Sequence, residues 1–221
     1  MNYKRLTLLC GHYGSGKTNV AVNMAFELRE KYDNVTVADL DIVNPYFRTL
    51  DSKEDFEEKG IRLICSEYAN TNLDVPALPQ EIYALTDDRR MHAVLDVGGD
   101  DRGAYALGRL TPAILEENDF DCLCVINCYR PLTRNADDTI EVMREIEMAS
   151  GIRFTGLVND SNLGAETTKE TVLNSLEYAK RISELTGLPI FATAIDMKLY
   201  DELEGLIPDL LPMKLQKRPT E

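Results

Sequence analysis

One stretch of the 221-residue sequence decides the fold: Leu6-Thr7-Leu8-Leu9-Cys10-Gly11-His12-Tyr13-Gly14-Ser15-Gly16-Lys17-Thr18. Its first part is apolar on both faces, which predicts a buried strand over Arg5–Cys10. Its second part has the pattern G-x-x-x-x-G-K-[ST] and precedes a helix predicted over Gly16–Lys31. In this pattern glycines let backbone N–H groups surround phosphate oxygens, the lysine reaches the outer phosphates and the threonine hydroxyl ligates Mg²⁺. The predicted nucleotide contacts are Gly11, His12, Tyr13, Gly14, Ser15, Gly16, Lys17 and Thr18.

Strand-length apolar runs alternate with segments of helical period along the rest of the chain, as in βα units that build a parallel sheet. The predicted strands are Arg5–Cys10, Asn34–Asp39, Ile61–Cys65, His92–Val97, Asp121–Asn127, Arg153–Asn159 and Pro189–Thr193. The predicted helices are Gly16–Lys31, Asn135–Ala149 and Thr167–Thr186, with shorter ones near Pro79–Leu85, Ala104–Leu115 and Tyr200–Gly205. No linker or repeat divides the sequence. We therefore expect one α/β domain over residues 1–221, a doubly wound and mostly parallel sheet flanked by helices, with ligands at the carboxyl ends of the strands.

Carboxylates follow the second and fourth predicted strands. Asp39 and Asp41 stand two residues apart in Asp39-Leu40-Asp41-Ile42-Val43-Asn44, where the strand opens into a loop. Asp96 ends the fourth strand and precedes Gly98-Gly99, a loop that can bring a backbone N–H against a phosphate. Each motif alone is equally well explained by helix caps or turns. After a phosphate loop they predict a Mg²⁺ shell and a group that positions water.

These motifs together resemble the CobQ/CobB/MinD/ParA nucleotide-binding superfamily of P-loop NTPases over nearly the whole chain. The resemblance implies that Thr18, Asp39 and Asp96 hold Mg²⁺, the carboxylates acting through water, and that Lys17 and Asp41 are catalytic, Asp41 by orienting the attacking water. It also implies that Gly98-Gly99 forms a second switch and that Asn159 contacts adenine. We place Thr193, at the end of the last predicted strand, in the same nucleotide pocket.

The base motif and one loop position bear on the nucleotide and on assembly. GTP-binding relatives carry N-K-x-D at the place of Asn159-Asp160-Ser161-Asn162, and its absence favours ATP. Partitioning ATPases of the superfamily carry a lysine that reaches the partner's nucleotide in a dimer, and here that position is His12. A neutral imidazole carries no charge, so a nucleotide-dependent homodimer is open to question, although Arg48 or Arg102 could supply a cation.

The charge balance and the cysteines restrict the other function classes. The chain has 38 acidic and 24 basic residues, a net charge of -14 that disfavours nucleic-acid binding. The acidic run Asp51–Lys59 is interpreted as an exposed face, and Pro208 and Pro212 interrupt any amphipathic helix that could act as a stable membrane anchor. Five cysteines without a C-x-x-C pair and without a signal segment favour a cytoplasmic location.

Three of those cysteines could also bind metal. Cys122, Cys124 and Cys128 share a parity along the fifth strand and its end, but the apolar surroundings favour the interpretation that they belong to the core. Metal-binding thiolates usually come from exposed turns.

The function that we expect is that of a Mg²⁺-dependent ATP-binding protein and slow ATPase, acting as a switch or accessory carrier for a partner protein. Two alternatives stay open. One is an ATP-dependent carboxylate ligase of the dethiobiotin synthetase and CobB kind, for which Arg48, Arg130 and Arg134 are the basic residues that could hold a substrate. The other is an NTPase for the maturation of a metal centre, which would need bound metal on cysteine thiolates.

Overall fold

The computed structural model describes residues 2–41, 49–65, 80–98 and 101–216. In this part of the chain eight strands form one sheet in the order β3-β2-β4-β1-β5-β6-β7-β8, and every neighbouring pair is parallel. The strands are β1 (Leu6–Cys10), β2 (Val35–Leu40), β3 (Arg62–Ile64), β4 (His92–Val97), β5 (Phe120–Ile126), β6 (Gly156–Asn159), β7 (Ile190–Asp196) and β8 (Leu210–Met213). The chain winds outward from β1 in both directions, so the predicted doubly wound α/β fold is confirmed.

Helices connect the strands and begin or end at residues with clear capping roles. They are α1 (Lys17–Lys31), α2 (Lys53–Lys59), α3 (Ala84–Asp87), α4 (Asp101–Gly108), α5 (Thr111–Glu117), α6 (Ala136–Ser150), α7 (Lys169–Thr186) and α8 (Tyr200–Leu203). Asn135 caps the start of α6, and Thr168 forms a capping box with Thr171 at the start of α7. Gly151 and Gly187 end these two helices in the left-handed conformation that favours glycine.

The sheet is buried on both faces. One cluster of apolar side chains packs between the sheet and helices α3 to α7, and it includes Leu8, Leu95 and Ile182. A second cluster packs on the opposite face against α1 and α2, and it includes Leu9 and Phe56. This burial on both sides explains why β1 and β5 read as nearly continuous apolar runs. The described helices include none long and apolar enough to cross a membrane.

Three elements differ from the sequence predictions. The acidic run at 51–59 is a short 3₁₀ turn followed by α2, because its central Phe56 is fully buried while the charged residues around it face solvent. The helix predicted near 104–115 is two helices, α4 and α5, with Pro112 in the first turn of α5. The strand β8 was not predicted, and Pro212 is tolerated there because β8 lies at the edge of the sheet.

The segment that follows β8 lies along α1 and is tied to it by side-chain amides. The Nδ2 of Asn23 donates to the Lys214 carbonyl at 3.2 Å, and the Lys214 N–H donates to Asn23 Oδ1 at 2.9 Å. The Gln216 N–H donates to Asn19 Oδ1 at 3.0 Å, and Gln216 Nε2 donates to Ser52 Oγ at 2.7 Å. The amide side chains of α1 therefore take the place of a neighbouring strand for residues 214–216.

Candidate functional site

The predicted phosphate loop connects β1 to α1 and has the backbone shape that binds anions. Gly11, Gly14 and Gly16 all have positive φ angles, of 148°, 74° and 97°. A side chain at Gly11 would collide with the Val125 carbonyl of β5, and one at Gly16 would collide with the Asp160 carboxylate. Only glycine fits at these two positions, because both the φ angle and the space exclude a Cβ.

The polar side chains of the loop point inward. Lys17 is buried, and its Nζ donates to the His12 carbonyl across the loop at 3.4 Å. The Ser15 hydroxyl is also buried, and its oxygen finds no hydrogen-bond partner among the residues that the structure describes. A buried hydroxyl and a buried ammonium inside a ring of glycine amides form a site that suits phosphate oxygens.

The two predicted Mg²⁺ carboxylates lie side by side. Asp39 and Asp96 are register partners on the neighbouring strands β2 and β4. Thr18 Oγ1 donates to Asp96 Oδ2 at 2.7 Å, so the structure brings together all three predicted metal residues. Asp96 Oδ1 is buried and has no hydrogen-bond partner in the described part of the chain. Carboxylate and hydroxyl oxygens are the ligands that Mg²⁺ prefers, so this donor set fits that ion.

The environment of Asp96 is electrostatically tuned. Burial raises the pKa of its carboxyl to about 6, and the negative charge of Asp41 adds to this effect. The Lys17 ammonium and the hydroxyls of Thr18 and Thr49 act in the opposite direction. A divalent cation would favour the ionised form further, because it replaces the water lost on burial.

Asp41 lies beside this group. Its backbone N–H donates to Asp39 Oδ1 at 3.0 Å, and the residue is buried. The second carboxylate of the motif is therefore held within the same cluster as the first. Asn44 and Arg48, which the sequence analysis singled out after it, lie outside the described residues.

Thr49 joins the cluster although the sequence analysis missed it. Its hydroxyl donates to Asp96 Oδ2 at 3.2 Å, the same oxygen that accepts from Thr18. Thr49 is fully buried at the start of the 3₁₀ turn that precedes α2. No sequence motif predicts that Thr49 contacts Asp96, because this contact depends on the three-dimensional position of the 3₁₀ turn.

The glycine pair after β4 is described in part. Gly98 packs against Gly103 of α4 so closely that a side chain at Gly103 would collide with the Gly98 backbone. Gly99 lies outside the described residues, as does the side chain of Arg102. The predicted role of Gly98-Gly99 as a switch stays a prediction.

A cleft of about 620 Å³ opens beside the phosphate loop on the side of β5, β6 and β7. The phosphate end of the cleft contains Lys17, Thr18, Arg130 and Asp160. Its other end is mainly apolar and is formed by the loop after β6, the start of α7, the ends of β7 and β8 and the residue pair 215–216 after β8; it contains Ala165, Val172, Ala194, Ile195, Met213 and Leu215. An anion site joined to an apolar slot matches the two ends of a nucleotide.

The structure does not bring Asn159 and Thr193 into this cleft. The Asn159 amide is fully buried, donating to Ser175 Oγ at 2.9 Å and accepting from the Ser161 N–H at 3.3 Å. Thr193 lies in the buried interior of β7, which continues three residues beyond its predicted end. The residues that follow each of them, Asp160 and Ala194, line the cleft instead.

His12 does not extend from the loop as a long cation would. Its Nδ1 lies 2.9 Å from the Tyr13 carbonyl, which places the ring against the loop's own backbone. Tyr13 is more than half exposed and lines the mouth of the cleft.

Two of the three cysteines that were candidates for metal binding lie in the core, whereas Cys128 is half-buried beyond the end of β5. Cys122 and Cys124 are buried in β5, next to Cys10 of β1. A hydrogen bond with Cys10 and burial raise the pKa of the Cys122 thiol, and burial raises that of Cys124. Neutral buried thiols are poor metal ligands, and the described residues contain no cluster of side chains suited to hold a metal through cysteine or histidine.

Comparison with known proteins supports the fold. No family model and no curated protein matches the chain. It is similar to the cell division protein FtsY from Thermotoga maritima, with a TM-score of 0.60 and 17% identity over 86% of this chain and 61% of that one. For chloroplast FtsY from Physcomitrella patens the values are 0.54, 14%, 87% and 59%.

A third solved structure is the signal recognition particle receptor FtsY from Elizabethkingia anophelis in complex with GDP. Its TM-score is 0.50, with 13% identity over 88% of this chain and 58% of that one. The chain thus spans about three fifths of the length of these proteins. At such low identity the likeness is one of fold, and the fold that this chain shares with them is that of a P-loop NTPase.

Proposed function

We propose that this protein is a Mg²⁺-dependent nucleoside triphosphatase that acts as a nucleotide switch or accessory carrier for a partner protein. One observation carries the proposal: Thr18 of the phosphate loop donates to Asp96, which is the register partner of Asp39. This contact joins a phosphate loop to a buried set of oxygen ligands for a metal. That combination serves phosphoryl transfer, in which positioning and charge stabilisation supply most of the catalysis.

The residues of the chain have distinct roles in this mechanism. Lys17 and the loop amides neutralise charge on the outer phosphates. Thr18, Asp39 and Asp96 would hold Mg²⁺, which would stabilise the negative charge of the phosphate groups. Asp41, held next to Asp39 by the hydrogen bond from its own N–H, orients the attacking water. Thr49 donates to Asp96 and lies in the segment that leads into α2. Binding of metal and nucleotide beside Asp96 would therefore change the position of that segment, and this change would be the switch.

We further propose that the nucleotide is ATP. Guanine has two N–H donors on its Watson–Crick edge, and a site selective for guanine places an acceptor such as a carboxylate opposite them. At the place of the N-K-x-D motif, Asp160 packs against Gly16, and Asn162 is used within its own turn, where it accepts from the Gly164 N–H and donates to the Asp160 carbonyl, so the acceptor that GTP-binding relatives use for guanine is not formed by these two residues. The second candidate is GTP, which is favoured by the similar fold of an FtsY protein that binds GDP.

Binding and hydrolysis assays with both nucleotides test the proposal. We expect wild-type protein to bind ATP with Mg²⁺ and to hydrolyse it slowly, more tightly and faster than GTP. Lys17→Ala should lower turnover by about 100-fold or more, because the loop loses its cation. Lys180→Ala, an exposed site on α7, is the control and should behave like wild type.

The outcomes separate the parts of the proposal. Unchanged ATP hydrolysis in Lys17→Ala would overturn the NTPase assignment, and tighter binding of GTP would overturn the choice of ATP. Light scattering with non-hydrolysable ATP and GTP analogues, and with ADP, tests for a nucleotide-dependent homodimer. If the protein binds nucleotide but stays monomeric, the switch would act on a different protein and not on a second copy of this chain.

A further inference from the structure

Arg130 reaches over the phosphate loop from the loop that follows β5. Its Nε donates to the Gly14 carbonyl at 2.7 Å, and its side chain lies along the Gly14 backbone. In the described part of the chain its two terminal amino groups make no hydrogen bond. Because Arg130 lines the cleft together with Lys17, those donors lie next to the site where phosphate groups would bind.

The loop that carries Arg130 is held in place by internal hydrogen bonds. Asn127 is fully buried at the end of β5; its Oδ1 accepts from the Tyr129 N–H at 3.0 Å, and its carbonyl accepts from Thr133 Oγ1 at 2.8 Å. The Tyr129 hydroxyl donates to the Thr171 carbonyl of α7 at 2.8 Å. Pro131 follows Arg130 directly and restricts its backbone. The backbone that carries Arg130 is therefore held in place, and its guanidinium already lies beside the phosphate loop.

The charge inside the cleft is consistent with a phosphate-binding role. Among the described residues that line the cleft, Lys17 and Arg130 carry positive charge and Asp160 and Asp196 carry carboxyl groups. A nucleoside triphosphate brings about four negative charges, more than Lys17 and one Mg²⁺ neutralise. The His12 ring lies against the Tyr13 carbonyl, and His12 is not among the described residues that line the cleft.

We propose that Arg130 binds the phosphate groups of the nucleotide within the same chain, so that it supplies the second protein cation of the site. The proposal rests on the proposed function and adds a phosphate-binding residue to it. Its Nε keeps the bond to Gly14, and its terminal amino groups donate to phosphate oxygens. A planar guanidinium is suited to bind two oxygens of one phosphate at once.

Binding measurements on a series of ligands test this role. The ligands are adenosine, AMP, ADP and a non-hydrolysable ATP analogue with Mg²⁺, with the guanine series in parallel. We expect Arg130→Ala to weaken binding of the triphosphate by about 10-fold or more, which is typical for loss of a charge-assisted hydrogen bond, and to leave adenosine binding unchanged. Arg130→Lys should recover part of the loss. Arg144→Ala, an exposed arginine on α6 outside the cleft, is the matched control and should stay near wild type.

A further variant separates charge from loop shape. Arg130→Gln keeps an amide donor but removes the positive charge, and we expect it to show the same dependence on phosphate number as Arg130→Ala. Equal triphosphate affinity in the Arg130 variants and wild type would overturn the inference, as would an equal loss for adenosine and the triphosphate. A wild-type protein that binds neither nucleotide series would instead overturn the proposed function itself.

Discussion

The two sides of the phosphate loop are built in different ways. On the metal side, β2 and β4 present Asp39 and Asp96 at equivalent positions of a regular parallel ladder. On the other side, Arg130 and Asp160 come from irregular loops after β5 and β6 and contact the loop at Gly14 and Gly16. Strand register alone fixes the first pair, whereas the second depends on how each loop folds. The metal side is thus visible as a sequence motif and the other side is not.

The largest expected effect is on the metal side. Asp96→Asn should lower Mg²⁺-dependent hydrolysis by about 100-fold or more, because it removes a buried charge that would face the ion while Thr18 still has an acceptor. The measurement is the turnover rate over a titration with MgCl₂. Asp201→Asn, at an exposed position of α8, is the control. A rate in Asp96→Asn equal to that of wild type at all Mg²⁺ concentrations would show that the metal side is not where the ion binds.

A smaller effect is expected on the opposite side and depends on pH. Burial raises the pKa of the Asp160 carboxyl to about 8, although the Asn162 side chain and the charge of Arg130 favour ionisation. At pH 7 the group is therefore mostly neutral, and above pH 8 it becomes an anion beside the bound phosphates. Among the described residues that line the same cleft, the cations are Lys17 and Arg130, and we expect them to offset this repulsion only in part.

We expect nucleotide affinity to fall by about tenfold between pH 7 and pH 9. This fall corresponds to a rise of about one unit in the pKa of Asp160 when the nucleotide binds, because one pKa unit equals a tenfold change in affinity. In Asp160→Asn this fall should disappear, and affinity at pH 9 should exceed that of wild type. Isothermal titration calorimetry across this range, with Asp201→Asn as the control, measures both curves. If Asp160→Asn kept the full pH dependence of the wild type, another group would be responsible for it.

The contribution of Asp160 to folding stability changes with pH in the same direction as the nucleotide affinity. Because the pKa of Asp160 is higher in the folded than in the unfolded chain, the folded state holds more protons between about pH 4 and pH 8. The contribution of this group to stability therefore becomes less favourable as pH rises through that range. Asp160→Asn should melt at a higher temperature than wild type at pH 8, and the difference should shrink as the pH is lowered toward 4.

The smallest expected effect concerns Thr49. Thr49→Val keeps the shape of the side chain but removes the hydroxyl that donates to Asp96. We expect a loss in Mg²⁺ affinity of only a few fold, because Thr18 still donates to the same oxygen. Thr86→Val is a suitable control, since its hydroxyl bonds to the Tyr83 carbonyl on the exposed surface. A loss as large as that of Asp96→Asn would mean that Thr49 itself ligates the ion.

The sequence was sufficient for the elements that repeat a simple pattern. All seven predicted strands are present, because buried strands of a parallel sheet are apolar on both faces. The position of the phosphate loop and the meeting of Thr18, Asp39 and Asp96 followed from the rule that strands of such a sheet end at one edge. The predicted roles of these residues in binding and catalysis stay predictions.

The elements that were missed have individual physical reasons. In α2 a single buried Phe56 orders a helix that is otherwise charged, and β8 contains a proline that an edge position allows. Asn159 was expected to face the base, but its amide is used inside the fold by Ser175. Thr49 and Asp160 meet the site through loops, and no periodicity predicts how a loop returns to a distant residue.

The amide contacts between α1 and the segment after β8 connect the phosphate end of the cleft to its apolar end. Asn19 and Asn23 lie in the first turns of the helix that begins at the phosphate loop, and they hold Lys214 and Gln216 by their backbone groups. Leu215, between them, belongs to the apolar end of the cleft, and Gln216 also lines the cleft. A movement of α1 toward an anion would therefore also move residues 214–216. Pyrophosphate and a nucleoside, offered as separate fragments, should therefore strengthen each other's binding by the same factor.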